Sequence, residues 1–127
     1  MTKKKDIKPV IRKFKSLLYP FTLYFILHSD EKTRKKFGYT DNFENESAVT
    51  CSNGKDIAII ISEKLLNGPA GVLIGTIAHE CFHMTADVMY DIGEKLSVDH
   101  QEPWAYLIGW AVECVMKIVK EDRKWKI

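Results

Sequence analysis

The sequence has few cysteines, no long uninterrupted apolar run and no low-complexity linker. Its three cysteines, Cys51, Cys81 and Cys114, form no CxxC pair, so no disulfide framework is expected and a reducing compartment, the cytoplasm, is favoured. No signal-like apolar run follows the basic N-terminus, and no apolar stretch approaches the about 20 residues of a membrane span. With 127 residues, 46% of them hydrophobic, the chain is expected to form one globular domain over residues 1–127.

Acidic residues are scarce in the first 36 residues and basic residues are scarce in 37–119, although the net charge of the whole chain is only +2. Residues 1–36 contain 11 Lys/Arg and 3 Asp/Glu, whereas residues 37–119 contain 4 Lys/Arg and 12 Asp/Glu. The basic part is interpreted either as a solvated helix face or as a contact site for nucleic acid, an acidic membrane surface or an acidic partner. The acidic part is the composition that a cation site would leave in a sequence.

The predicted elements follow the order helix, strand, short helix, hairpin, long helix, long helix. This order is typical of an α+β fold in which a small antiparallel or mixed sheet packs on two long helices and an N-terminal helix. Helical spacing of apolar residues, proline positions and the Asn53–Gly54 turn signal set the boundaries. We predict helices over 7–18 (in a basic segment 1–20), 31–37, 69–90 and 103–121, and strands over 21–27, 47–52 and 56–62.

The long helix predicted over 69–90 contains no Lys or Arg, and its apolar residues point in nearly every direction. A helix that is apolar all round is expected to be buried on all sides. It nevertheless places His79, Glu80, His83 and Asp87 on one stripe about 100° wide. Ionisable groups on a buried stripe are costly unless a partner compensates them, and a divalent cation in a cleft would do so.

Residues 79–83 match the pattern H-E-x-x-H. Residues at i and i+4 lie one above the other on a helix, so the imidazoles of His79 and His83 can reach one ion, while Glu80 can contact a water molecule beside it. The motif predicts two zinc ligands and a general base. The alternative is a pair of histidines at the edge of the core, satisfied by hydrogen bonds. Cys81 faces away from His79 and is expected to fill the core.

A catalytic zinc ion usually has a third protein ligand and one open coordination position. The position six residues after His83 is Met89, which excludes the metzincin arrangement. The remaining acids and histidine downstream leave several candidates open, namely Asp87, Glu94, Asp99, His100, Glu102 and Glu113.

The H-E-x-x-H motif and a Glu-Pro-Trp-Ala-Tyr segment at 102–106, 18 residues later, resemble the gluzincin metallopeptidases. The chain is also similar, over about 47–115, to very small H-E-x-x-H proteins of phages and prophages. The resemblance implies a minimal zincin-like fold, one Zn²⁺ held by His79, His83 and Glu102, and Glu80 as the base that deprotonates a metal-activated water. It also implies a peptide or protein substrate, aligned by the strand over 56–62 as a sheet edge, in a bacterial or phage-infected cell.

Other assignments of these residues stay open. Asp87 and Glu113 are candidates to hold a ligand imidazole by its second nitrogen, and His100 is the reserve ligand. A closed, purely structural site completed by His100 or Asp87 is one alternative to catalysis. Another is a non-catalytic module of a phage or mobile element that keeps the zinc fold and uses its basic N-terminal part to contact nucleic acid or an acidic partner.

Overall fold

Four short runs rich in β-branched and aromatic residues form one mixed sheet in the computed structural model, which describes residues 7–124. The spatial order of the strands is β1-β2-β4-β3. The pairs β1–β2 and β3–β4 are antiparallel hairpins, and β2 and β4 join them by parallel pairing. The α+β fold with a small mixed sheet is therefore confirmed. The strands are β1 (Val10–Lys15), β2 (Thr22–Leu27), β3 (Ala48–Asn53) and β4 (Asp56–Ile61).

Four helices complete the fold, and local signals explain where they begin and end. The side chains of Asp30 and Ser62 accept hydrogen bonds from the third residue of α1 and α2, as N-caps do. Gly93, with φ of +74°, follows the end of α3 in the left-handed conformation that glycine permits. The two long helices confirm the predictions over 69–90 and 103–121. The helices are α1 (Glu31–Lys36), α2 (Glu63–Leu66), α3 (Ala70–Asp91) and α4 (Glu102–Arg123).

The predicted N-terminal helix over 7–18 is wrong, because this part of the chain forms strand β1. Val10 pairs with Leu27 and Lys15 with Thr22 along the edge of β2. Val10 and Phe14 pack on the core, so the apolar spacing that suggested a helix also fits a strand with one buried face. Residues 1–6 of the predicted basic segment lie outside the described residues.

The main hydrophobic core lies between one face of the sheet and the helices α3 and α4. A smaller core covers the opposite face of β2 and β4, where Ile26, Ala58 and Ile60 pack under Phe37 and other partly buried residues. The two central strands are thus buried on both faces, which accounts for the nearly continuous apolar sequence of β4. The sheet side of the main core consists mainly of Phe21, Leu23, Phe25, Leu27, Ile57, Ile59 and Ile61.

Strand β3, and not β4, is the sheet edge that lies against α3. The expectation that the strand over 56–62 forms a substrate-aligning edge is therefore wrong, since β4 lies between β2 and β3. The hairpin turn also lies one residue later than predicted. Asn53 pairs with Asp56, and Gly54 takes the first turn position with φ of +65°, a conformation that favours glycine.

Within residues 7–124, no helix combines the length and the apolar character that are needed to cross a bilayer.

Candidate metal centre

Helix α3 buries one face against the sheet and α4 and exposes the other. The expectation that it is buried on all sides is wrong, because no element in the described part of the chain covers its outer face. His79 and His83 lie on this exposed face with Ile74, Ala78 and Phe82, and the His79 side chain is 67% exposed. The buried face consists of Leu73, Ile77, Glu80, Cys81, Met84, Thr85, Val88 and Met89.

The two histidines of the motif converge on one point. Their Nε2 atoms lie 3.0 Å apart, and their ring planes meet at 76°. Two imidazole ligands of a tetrahedral zinc ion, each about 2.0–2.1 Å from the metal, have their nitrogens about 3.3 Å apart. One ligand atom each from His79, Glu80 and His83 lies within 4.8 Å of the others. This group could therefore hold a metal ion, as the motif predicted.

The chemistry of the donor set fits a cation. A neutral imidazole has one N–H and one acceptor nitrogen, so two facing Nε2 atoms can either share one proton in a hydrogen bond or both bind a cation. Helix α3 contains no Lys or Arg, so no basic residue of this helix neutralises the Glu80 carboxylate. The Glu80 side chain is only 8% exposed, and among the described residues its one ion-pair contact is His79 Nε2, 3.8 Å from Oε2. Nitrogen and carboxylate donors are ligands that Zn²⁺ commonly takes.

Thr50 of β3 fixes the carboxylate of Glu80. Its Oγ1 donates a hydrogen bond to Glu80 Oε1 at 3.0 Å and also lies 3.2 Å from the backbone carbonyl of Glu80. The bond orients the carboxylate so that Oε2 is the oxygen near the histidine pair. Sequence reasoning missed Thr50, since a threonine in a short strand has no distinguishing pattern and its contact with Glu80 depends on how β3 packs on α3.

The structure does not bring the other predicted ligands into the donor group. Glu102 is the first residue of α4 and is exposed, and as the third ligand it stays a prediction. Asp87 lies one turn beyond His83; partial burial raises the pKa of its carboxyl, and nearby His83 opposes that rise. The cluster of donor atoms found among residues 7–124 includes none of Asp87, Glu94, Asp99, His100, Glu102 and Glu113.

Cys81 fills the core beneath the motif, as predicted. It is fully buried, and burial raises the pKa of its thiol to about 12. A thiol with that pKa stays protonated at neutral pH and is a poor nucleophile. Cys51 and Cys114 are also free thiols.

Two clefts flank the candidate centre. A cleft of about 450 Å³ lies beside His79 and Glu80, between the start of β3 and the outer face of α3, and Glu46 lines it. A more apolar cleft of about 530 Å³ lies where Phe82 and Trp104 pack, their ring centroids 5.8 Å apart. The ring of Phe82 also lies 6.3 Å from that of His83. The centre is thus open to solvent between a polar and an apolar surface.

No protein-family model, curated protein or solved structure matches this chain. The functional assignment therefore depends on the geometry of the residues themselves.

Proposed function

We propose that this protein is a zinc-dependent hydrolase, and specifically a small metallopeptidase with a minimal zincin-like fold. The observation that carries the proposal is the convergence of the His79 and His83 Nε2 atoms, 3.0 Å apart, beside the fixed carboxylate of Glu80. Two exposed imidazoles one helical turn apart, with the buried carboxylate of Glu80 beside them, supply the ligands and the base that metal-assisted hydrolysis requires.

Each residue of the site has a separate role in the proposed reaction. A zinc ion held by these residues would act as a Lewis acid, lowering the pKa of a bound water and polarising a substrate carbonyl. His79 and His83 direct their Nε2 atoms toward the point at which the ion would be held. Glu80 accepts the proton of the attacking water at Oε2 and then delivers it to the leaving amine. Thr50 acts as a positioning residue, because its hydrogen bond to Oε1 keeps Oε2 directed toward the histidines.

The outer edge of β3 supports an extended peptide as the substrate. The N–H of Ser62 donates to the Ser47 carbonyl, so by the alternation of an antiparallel ladder Ala48, Thr50 and Ser52 direct their backbone groups away from β4. Strand β3 contains no charged residue and no proline, whereas charged side chains protect the opposite edge strand β1. A peptide paired to β3 would run past Thr50 toward Glu80.

The decisive experiment combines metal analysis with cleavage of an unfolded protein. We expect the wild type to bind one zinc ion and to cleave. Glu80→Gln keeps the size of the side chain and the zinc but is expected to lower the rate by about 10²- to 10⁴-fold, since the base is lost. His83→Ala is expected to lose zinc, and Glu44→Gln, an exposed loop acid, is the matched control.

Cleavage at the same rate by the wild type and Glu80→Gln would contradict the proposed mechanism. If the wild type binds zinc but neither it nor any variant cleaves the substrate, the result would instead favour the non-catalytic module. Absence of zinc from the wild type after purification in zinc-supplemented buffer would contradict the metal centre itself.

The third ligand requires its own comparison. We propose Glu102, because the first residue of α4 can be directed by the preceding loop as well as by the helix. Glu102→Ala is expected to weaken zinc binding about 10- to 100-fold or more, measured by competition with a chelating dye. His100→Ala and Asp87→Ala are the matched controls, and a larger loss in either of them would transfer the assignment to that residue.

A further inference from the structure

The loop between β1 and β2, residues 16–21, exposes two leucines in a fixed conformation. Leu17 is 96% exposed and Leu18 is 71% exposed. The Ser16 hydroxyl accepts hydrogen bonds from the backbone N–H groups of Leu18 and Tyr19, at 3.3 and 3.1 Å. The Ser16 N–H donates to the carbonyl of Phe21 and closes the base of the loop. The leucines are therefore presented to solvent by a hydrogen-bonded turn.

Amphipathic aromatic residues surround the leucines. Tyr19, Tyr106 and Trp110 line, with Leu17 and Leu18, a mostly apolar cleft of about 300 Å³ between the loop and α4. Tyr106 is largely exposed. Tyrosine and tryptophan are enriched where proteins meet the interface of a lipid bilayer, because one end of each ring system is apolar and the other carries a polar group.

Every charged residue in the segment that leads into this loop is basic. Residues 7–20 contain Lys8, Arg12, Lys13 and Lys15 and no Asp or Glu. Arg12 pairs with Glu121 of α4, 3.2 Å away. Lys13 and Lys15 are exposed, on the face of β1 opposite to Val10 and Phe14, which pack on the core. Exposed positive charge thus lies directly behind the apolar tip.

We propose that the β1–β2 loop is a docking surface for an anionic lipid bilayer. Leu17 and Leu18 enter the interfacial region, and Lys13 and Lys15 contact the anionic head groups. A lipid surface offers both of the chemistries that the loop displays. A nucleic acid backbone would leave the two leucines without an apolar partner, and a second copy of the chain, meeting this face symmetrically, would oppose like charges. This inference is independent of the proposed catalysis.

Sedimentation with lipid vesicles tests the proposal. We expect the full chain to bind phosphatidylcholine vesicles that contain about one third phosphatidylglycerol, and to bind pure phosphatidylcholine at least about tenfold more weakly. Leu17→Ser/Leu18→Ser and Lys13→Ala/Lys15→Ala are each expected to lower the partition coefficient more than about tenfold. Both pairs are exposed, so the variants are expected to fold, which circular dichroism checks.

Matched controls distinguish vesicle binding by the loop from nonspecific hydrophobic or electrostatic binding elsewhere on the surface. Val72→Ser removes an exposed apolar side chain from the start of α3, and Lys32→Ala/Lys36→Ala removes the same charge from α1. Neither is expected to change vesicle binding more than about twofold. Glu80→Gln is expected to bind vesicles like the wild type, so failure of lipid binding and failure of the proposed hydrolysis remain distinguishable.

Several results would overturn the lipid assignment. One is no binding to either vesicle, and another is equal loss of binding in the controls and the loop variants. Binding to duplex DNA that is stronger than vesicle binding and unaffected by Leu17→Ser/Leu18→Ser would assign the basic strand to nucleic acid instead. A concentration-dependent dimer that the leucine variant abolishes would assign the loop to self-association.

Discussion

His28 links three elements at one end of the sheet, and its removal provides a direct test of how the fold responds to pH. Its side chain is 12% exposed, its Nδ1 contacts a Glu63 carboxylate oxygen, and its Nε2 lies 3.0 Å from Asp122 Oδ1. Burial lowers the pKa of His28, but the hydrogen bonds to Asp122 and Glu63 outweigh that effect and hold the pKa above its ordinary 6.5. The imidazolium thus ties β2 to α2 and α4.

The size and the sign of the effect follow from these contacts. A hydrogen bond to a charged group contributes about 1.5–3 kcal/mol, and partial exposure of Glu63 reduces its share, so the two bonds together stabilise the fold by about 2 kcal/mol. Because the pKa is higher in the folded than in the unfolded state, this stabilisation is fully present below the unfolded pKa. It is lost as the pH rises through the folded pKa.

Urea denaturation of the wild type and His28→Asn at about pH 6 and about pH 9 measures the effect. Asparagine tolerates the left-handed backbone of position 28, where φ is +53°, so the variant removes the contacts to Glu63 and Asp122 without straining the backbone. We expect a difference in the free energy of unfolding of about 2 kcal/mol near pH 6 and a smaller difference near pH 9. Titration of the other histidines cancels in the difference. An equal difference at both pH values would refute the reasoning.

Three further outcomes are expected. Ile77→Ala in the core should lower the free energy of unfolding by about 3 kcal/mol, whereas Ile74→Ala on the exposed face of α3 should cost less than about 1 kcal/mol, both measured in urea. Asp30→Ala, which removes the N-cap of α1, should lower the free energy of unfolding in the same assay, because the N–H of Thr33 loses its side-chain acceptor. Zinc at about 100 times its Kd should stabilise the wild type by about 2.7 kcal/mol in thermal unfolding, and His83→Ala should abolish that gain.

The core of the candidate site could be predicted from sequence because its geometry is local. His79 and His83 lie one helical turn apart, and the helix that carries them also began and ended near its predicted boundaries. Thr50 could not be predicted, since its bond to Glu80 joins two elements through tertiary packing. The role of Glu102 as third ligand, which stays a prediction, depends in the same way on the conformation of the loop before α4.

The N-terminal segment shows where local pattern fails. The spacing of Val10 and Phe14 fits both a helix and a strand, and the choice was decided by β2, whose free edge β1 covers. The exposed face of α3 could not be predicted either, because the sequence does not distinguish an apolar residue such as Ile74 that faces solvent from one that faces a core.

The parallel pairing of β2 and β4 has a consequence for how the chain reaches its native state. Each hairpin joins neighbouring segments and can form on its own within microseconds. The parallel β2–β4 pairing, here called the central seam, instead joins residues 22–26 to residues 56–60. Only when this pairing forms do the apolar faces of both hairpins pack together against α3 and α4. Assembly of that seam is therefore the step in which loop-closure entropy is lost, and substitutions along it should slow refolding more than substitutions in either turn.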